Sequence, residues 1–204
     1  MAEPSHRLIP KSLQRLFLTL LRPLINALAR WGIHPNGLTL TGFVITCIAA
    51  AELIRGNLRT GGVLILLGGL FDSIDGNLAR STGKANRFGA LFDSSMDRYG
   101  EFVMFLAIAA YFIPIKDFFS LAATFMALCG SIMVSYTRAR AESLGFESKA
   151  GIMQRPERIL CLGIGALIHP AAFKVSLWLV AILANLTALQ RLRNASRQHG
   201  AEKQ

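Results

Sequence analysis

The sequence predicts an all-α integral membrane protein with six transmembrane helices and an N-terminal amphipathic surface helix. Apolar residues make up 52% of the 204-residue chain. Residues 31–51 and 118–137 contain no Asp, Glu, Lys or Arg, and runs of roughly 20 apolar residues can cross a bilayer as a helix. The basic residues, which give a formal net charge of +10, lie mostly between and beside these runs. We expect one membrane domain over residues 1–204 and no nucleic-acid partner.

The N-terminal segment, about residues 8–31, has the pattern of an amphipathic helix. Its apolar residues at helical spacing are Leu13, Phe17, Leu20, Leu21, Leu24, Leu28 and Trp31. Lys11, Arg15 and Arg22 fall on the opposite face. A basic amphipathic helix can lie along an anionic membrane surface, or it can pack on the protein's own helices. The sequence leaves both arrangements open.

Six further segments are predicted to span the membrane. They lie at about 36–54, 60–80, 89–113, 118–140, 155–169 and 171–192. The second segment contains the short uncharged run Gly61–Phe71, which reaches only about 16 Å as a helix. It crosses the membrane only if the helix continues through Asp72 and Asp75. These carboxylates are therefore expected near one membrane face.

The distribution of Lys and Arg predicts the orientation of the chain. With the N-terminus in the cytoplasm, 18 of the 22 Lys and Arg residues fall on the cytoplasmic side, and Arg55, Arg59, Lys116 and Lys174 fall outside. Basic residues concentrate on the cytoplasmic side of membrane proteins. We therefore expect a multi-pass protein of the cell (inner) membrane, with both termini and the aspartates facing the cytoplasm.

Four aspartates form the most informative pattern in the chain. Asp72 and Asp75 are three residues apart, and Asp93 and Asp97 are four apart, so each pair shares one face of its helix. Two consecutive antiparallel helices would bring the pairs together, where like charges oppose joint ionisation. Hard divalent cations such as Mg²⁺, Mn²⁺ or Ca²⁺ relieve that repulsion, and four carboxylates can hold two ions.

Neighbouring residues fit this interpretation. Gly76, Ala79 and Gly89 leave room for close helix approach or for a ligand, and Arg80 provides a planar cation that can bind a phosphate. The competing interpretation is that the aspartates form ordinary surface salt bridges with Arg80, Arg87 and Arg98.

The segment Phe71–Asp97 resembles the signature of the CDP-alcohol phosphotransferases. That signature reads Asp-x-x-Asp-Gly-x-x-Ala-Arg, then eight residues, then Gly-x-x-x-Asp-x-x-x-Asp. The chain carries it without departure as Asp72, Asp75, Gly76, Ala79, Arg80, Gly89, Asp93 and Asp97. The motif HPNGLT, which begins at His34, also resembles the segment that precedes the first span in this family.

The resemblance implies a six-helix, generally homodimeric membrane enzyme. Such an enzyme moves a phosphoryl-alcohol group from a CDP-linked donor, here a CDP-diacylglycerol-type lipid, to a second alcohol and releases CMP. It implies Mg²⁺ or Mn²⁺, two ions, held by Asp72, Asp75, Asp93 and Asp97. Asp97 would also be the catalytic base that deprotonates the acceptor hydroxyl. The implied donor-binding residues are Asn36, Asp75, Gly76, Ala79 and Arg80.

The segment Ser135–Ile159 indicates the acceptor. Its pattern SYTRARAE…GI…RPER resembles the phosphatidylinositol-phosphate synthases of actinobacteria and their archaeal relatives acting on ether lipids, which use inositol phosphate. A cluster of arginines suits the dianionic phosphate of such an acceptor. The candidate acceptor-phosphate ligands are Arg138, Arg140, Arg155, Arg158, Arg191 and Arg193. The motif position held by Arg138 is often Lys in the bacterial enzymes.

Two alternatives remain at this point. Glycerol 3-phosphate, the acceptor of phosphatidylglycerophosphate synthases, is also phosphorylated, so the arginines alone do not choose between the two acceptors. A cation or proton transporter is an alternative of another class, because intramembrane acids often line ion pathways. Against it, the aspartates cluster at one end of their helices, whereas transport sites often lie near the midplane.

Overall fold

The computed structural model describes residues 10–148 and 151–201, and within those ranges the chain is helical without a strand. The helices are α1 (Lys11–Arg30), α2 (Pro35–Ile54), α3 (Leu58–Ser81), α4 (Arg87–Phe112), α5 (Phe118–Ser143), α6 (Arg155–Ile168) and α7 (Pro170–Ala201). The predicted all-α class is confirmed. The helix predicted at 171–192 is longer than expected and runs from Pro170 to Ala201.

Four of these helices, α2, α3, α5 and α7, are long and apolar enough to cross a membrane. The protein is therefore a multi-pass membrane protein. Helix α4 has 26 residues but carries four charged side chains between Asp93 and Glu101, and α6 has only 14 residues. Six transmembrane spans remain a prediction.

Short, well-capped connections align the helix ends that carry the site. Pro35 occupies the first turn of α2, and the His34 side chain accepts a hydrogen bond from the Asn36 amide. Helix α4 begins after Asn86, whose Oδ1 accepts a hydrogen bond from the Gly89 amide at 2.7 Å. Gly83 adopts a positive φ of 67°, which glycine tolerates without steric cost. The α3–α4 turn therefore sets the end of α3 beside the start of α4.

Helix α1 packs on the protein through its C-terminal half. Ile25 is buried in one cluster with Leu38, Ile74 and Leu78. Earlier apolar residues, including Leu13 and Leu20, are exposed. The predicted helix is thus observed from Lys11 to Arg30, and residues 8–9 lie outside the described ranges. Its placement on a membrane surface stays a prediction.

Small residues allow α3 to approach its neighbours closely. A Cβ atom placed on Gly62 would lie 2.8 Å from the Gly163 carbonyl oxygen of α6, and one placed on Gly68 would lie 2.9 Å from the Thr46 hydroxyl of α2. Such contacts bring helix backbones together in membranes, where packing replaces the hydrophobic effect as the driving force. The short helix α6 is thereby pressed against the helix that carries Asp72 and Asp75.

An ion pair ties α5 to α7 at the end of the molecule away from the aspartates. Asp117 caps α5 by accepting a hydrogen bond from the Ser120 amide, and the Lys174 ammonium lies 2.6 Å from its carboxylate. The hydrogen bond from Lys174 lowers the pKa of Asp117 to about 2. The stabilisation from this pair is therefore fully present when the pH is above the ordinary pKa of an aspartate. It is lost as the pH falls through the lowered pKa of about 2.

We expect Gly62→Ala to destabilise the protein, because the new methyl group would overlap the Gly163 carbonyl oxygen, which is backbone and cannot move aside easily. Overpacking of this kind costs about 1–3 kcal/mol. The measurement is the thermal midpoint in detergent, compared with Gly200→Ala, where an added Cβ meets nothing within 4 Å. Equal midpoints for the two variants would disprove the close α3–α6 contact.

Candidate active site

The aspartates converge where α3 and α4 meet, but not as one equivalent set. One oxygen each of Asp72, Asp75 and Asp93 lies within 4.8 Å of the others. Asp97 lies one helical turn further along α4 and does not belong to this group of three. The structure thus brings together three of the four predicted ligands. Asp97 is connected to them through Arg155.

The three clustered aspartates fit a hard divalent cation. Oxygen-only ligands at this spacing suit Mg²⁺, Mn²⁺ or Ca²⁺. Asp93 Oδ1 is buried and accepts no hydrogen bond from the described residues, although a buried carboxylate oxygen normally has a partner. Asp75 is 3% exposed, and its Oδ2 accepts a hydrogen bond of 2.6 Å from the Thr39 hydroxyl. Thr39 therefore orients one of the candidate ligands.

Arg155, the first residue of α6, connects Asp97 to this cluster. Its guanidinium forms an ion pair with Asp72 and a second one with Asp97 at 2.7 Å. The salt-bridge interpretation of the aspartates is thus partly correct, but the main partner comes from α6. That interpretation named Arg80, Arg87 and Arg98 as partners, and of these Arg98 lies 3.4 Å from Asp97.

A buried ion pair fixes the start of α6. Arg158 is 1% exposed and Glu101 of α4 is 4% exposed; the two side chains are directly paired, and Arg158 also donates to the Met153 carbonyl oxygen at 3.3 Å. The Arg98 guanidinium lies 3.5 Å from the same Glu101 carboxylate. Removing one member would leave a buried charge without compensation, which is costly. Glu101 therefore anchors the helix that presents Arg155.

A cleft of about 160 Å³ opens beside Asp75 and Asp93. All five residues predicted to bind the donor line it: Asn36, Asp75, Gly76, Ala79 and Arg80. The Arg80 guanidinium folds back over Gly76, with both terminal nitrogens 3.6 Å from where a Cβ would stand. A side chain at residue 76 would therefore crowd this cation.

The buried members of the predicted acceptor cluster are Arg158 and Arg191. Arg191 is 4% exposed and donates a hydrogen bond to the Val134 carbonyl oxygen. Arg138 and Arg158 both act electrostatically on Arg191, so arginines from α5, α6 and α7 lie in one region. Arg158 and Arg191 are thus buried, and their proposed contact with an acceptor phosphate remains a prediction.

The other predicted acceptor ligands are more exposed. Arg138 is half exposed and pairs with Glu142 at 2.9 Å. Arg140 and Arg193 are exposed, and their proposed contact with the acceptor remains a prediction.

Sequence reasoning missed Thr39 and the long-range role of Glu101. The sequence signal for Thr39 was its position three residues after Asn36, on the same face of α2. Lys84 and Asn86, which also line the cleft, belong to the turn between the two halves of the aspartate motif. For Glu101 the pairing with Arg158 spans 57 residues, and helical spacing pointed only to Arg98.

Comparison with known proteins agrees with this site. Residues 32–189 match the family model described as CDP-alcohol phosphatidyltransferase. The chain is 40% identical to archaetidylinositol phosphate synthase of Pyrococcus horikoshii, over 84% of this chain and 88% of the relative. It is 34% identical to phosphatidylinositol phosphate synthase of Mycolicibacterium smegmatis, over 91% of this chain and 87% of the relative.

A solved structure is also similar. The crystal structure of Mycobacterium tuberculosis phosphatidylinositol phosphate synthase with CDP-DAG bound superposes with a TM-score of 0.77 at 31% identity, covering 85% of this chain and 92% of that one. Another crystal structure of the same enzyme contains manganese and citrate. The resemblance stated from the aspartate motif is therefore confirmed, and these similarities favour a transferase over a transporter.

We expect Thr39→Val to weaken cation binding by roughly 10–100-fold, as is typical when a residue that orients a metal ligand is lost. Valine keeps the shape of threonine but cannot donate to Asp75. The measurement is a Mn²⁺ titration of purified protein in detergent. Thr39→Ser keeps the hydroxyl and serves as the control; equal affinities for the two variants would contradict the role assigned to Thr39.

Proposed function

The chain belongs to the CDP-alcohol phosphatidyltransferase family, and we propose that it transfers the phosphatidyl group of CDP-diacylglycerol, or of an ether-lipid equivalent, to inositol phosphate. As a member of this family it is a divalent-metal-dependent membrane enzyme of phospholipid synthesis. The acceptor is inferred from the group of arginines contributed by α5, α6 and α7, of which Arg155 contacts Asp72 and Asp97. The similarity to two inositol phosphate synthases supports the same choice.

The donor would occupy the cleft beside Asp75. Its cytidine would lie against Asn36, Gly76 and Ala79, and Arg80 would bind the pyrophosphate, since a guanidinium pairs well with phosphate oxygens. The lipid tails would remain in the bilayer while the head group reaches the aspartates. This arrangement accounts for a reaction centre at one end of the membrane-spanning helices.

Two Mg²⁺ or Mn²⁺ ions are the proposed cofactors. Asp72, Asp75 and Asp93 would hold the first, and Asp97 would complete the second site with Asp72. When bound, the ions neutralise the pyrophosphate and stabilise the leaving CMP. The manganese in the related M. tuberculosis structure supports a metal of this class.

Asp97 is the proposed general base. It would take the proton of the acceptor hydroxyl as that oxygen forms a bond to the β-phosphorus of the donor, and the bond from this phosphorus to the oxygen of CMP would break. The proton then passes from Asp97 to solvent. Arg155, Arg158 and Arg191 would hold the acceptor phosphate, with Arg138, Arg140 and Arg193 nearer the surface.

The proposed location is the cell membrane, with the aspartates facing the cytoplasm, as the distribution of Lys and Arg predicts. A homodimer is the proposed assembly.

We expect Asp97→Asn to abolish CMP release while the protein still folds, because asparagine is nearly isosteric with aspartate but cannot accept the hydroxyl proton. Turnover is measured as CMP produced from CDP-diacylglycerol and inositol phosphate in detergent with Mg²⁺. Asp117→Asn, the same substitution at the far end of the molecule, is the control and should remain active. A near-normal rate for Asp97→Asn would refute the assignment of the base.

An acceptor panel tests the substrate directly. Purified protein is given CDP-diacylglycerol with inositol phosphate, glycerol 3-phosphate, serine or free inositol. We expect the highest kcat/KM with inositol phosphate, because the arginine cluster suits a dianion. Preference for glycerol 3-phosphate would reassign the acceptor, and preference for an uncharged acceptor would refute the role of the arginines.

A further inference from the structure

Arg155 lies where the site would need a second cation. Its guanidinium bridges Asp72 and Asp97, whereas one oxygen each of Asp72, Asp75 and Asp93 forms the compact group that suits a first ion. A second ion would have to bind Asp72 and Asp97 together. Those are the two carboxylates that Arg155 already joins, so the guanidinium and a second ion compete for the same negative charge.

The contacts of Arg155 leave part of its guanidinium unsatisfied. Its Nε is buried and has no hydrogen-bond partner among the described residues, although buried polar groups are normally paired. A phosphate offers several acceptor oxygens to a guanidinium at once. The side chain can therefore gain hydrogen bonds when it exchanges the carboxylates for a phosphate.

The helix that carries Arg155 is held independently of it. Arg158, one turn later, is buried against Glu101 and also donates to the Met153 carbonyl oxygen. Because this pair anchors the start of α6 on α4, the Arg155 side chain can turn away while the helix stays in place. Arg158 is therefore held in place by its contacts, whereas the Arg155 side chain can change its partners.

We propose that Arg155 is a displaceable internal cation: it bridges Asp72 and Asp97 in the resting enzyme and gives way to a second divalent ion when the phosphate of the acceptor draws it off. This inference rests on the proposed function, since it requires a phosphorylated acceptor. It makes Asp97 free to accept a proton only when that acceptor is present. An uncharged acceptor would leave the Asp72–Arg155–Asp97 bridge intact.

The test is a Mn²⁺ titration of the purified full-length chain in detergent, without donor or acceptor, followed by calorimetry and by the electron paramagnetic resonance signal of free Mn²⁺. We expect the native protein to bind one ion tightly and a second one weakly. Arg155→Gln should bind the second ion at least 10-fold more tightly, because the competing charge is gone. Arg155→Lys should keep the weak second site.

Arg55→Gln is the matched control, because Arg55 pairs with Glu52 and not with an aspartate of the site; it should titrate like the native protein. First-ion binding at least as tight as in the native protein shows that the site of Arg155→Gln is folded. A second ion that binds no more tightly in Arg155→Gln than in the native protein, or no second ion in either, would overturn the proposal.

A second arm adds inositol phosphate to the same titration. It should tighten the second Mn²⁺ in the native protein and have no further effect in Arg155→Gln. Absence of this tightening in the native protein would refute the coupling to the acceptor phosphate. Since the first arm contains no substrate, its result does not depend on which acceptor the enzyme uses, and failure of the proposed function is recognised separately by the acceptor panel.

Discussion

The repulsion among four carboxylates at the junction of α3 and α4 is the constraint on which the rest of the structure depends. The i,i+3 and i,i+4 pairs lie on facing helices, so their charges accumulate at one end of the membrane domain. Like charges this close, in a region of low polarity, must be neutralised or protonated. The chain meets this requirement with a cation from α6, with a hydrogen bond from Thr39 of α2, and, in the proposed enzyme, with divalent ions.

Helix α6 is the element that converts this charge cluster into a reaction centre. It is too short to be identified as a membrane span by length, yet close contact with α3 at Gly62 and Gly163, and the Glu101–Arg158 ion pair with α4, fix its start beside the aspartates. A buried ion pair is weak evidence for added stability. Here its effect is positional, because it sets the point from which Arg155 reaches two of the carboxylates.

Local spacing determined how much of this could be predicted from the sequence. The aspartate motif and the donor cleft depend on residues three or four apart and on one short turn, and the five predicted donor residues do line one cleft. The partners of the carboxylates could not be found that way. Thr39 and Asp75 are separated by 36 residues and Arg155 and Asp72 by 83, so those contacts follow from how the helices pack. The candidate acceptor arginines look alike in sequence, but Arg158 and Arg191 are buried. Arg138, Arg140 and Arg193 are exposed.

The most direct test of the central claim is the position of metal in a crystal structure of this protein grown with Mn²⁺ and CMP. We expect anomalous manganese density between Asp72, Asp75 and Asp93, with the CMP phosphate directed towards Arg80. Manganese that binds elsewhere, or aspartates that remain paired only with arginines at saturating Mn²⁺, would contradict the account.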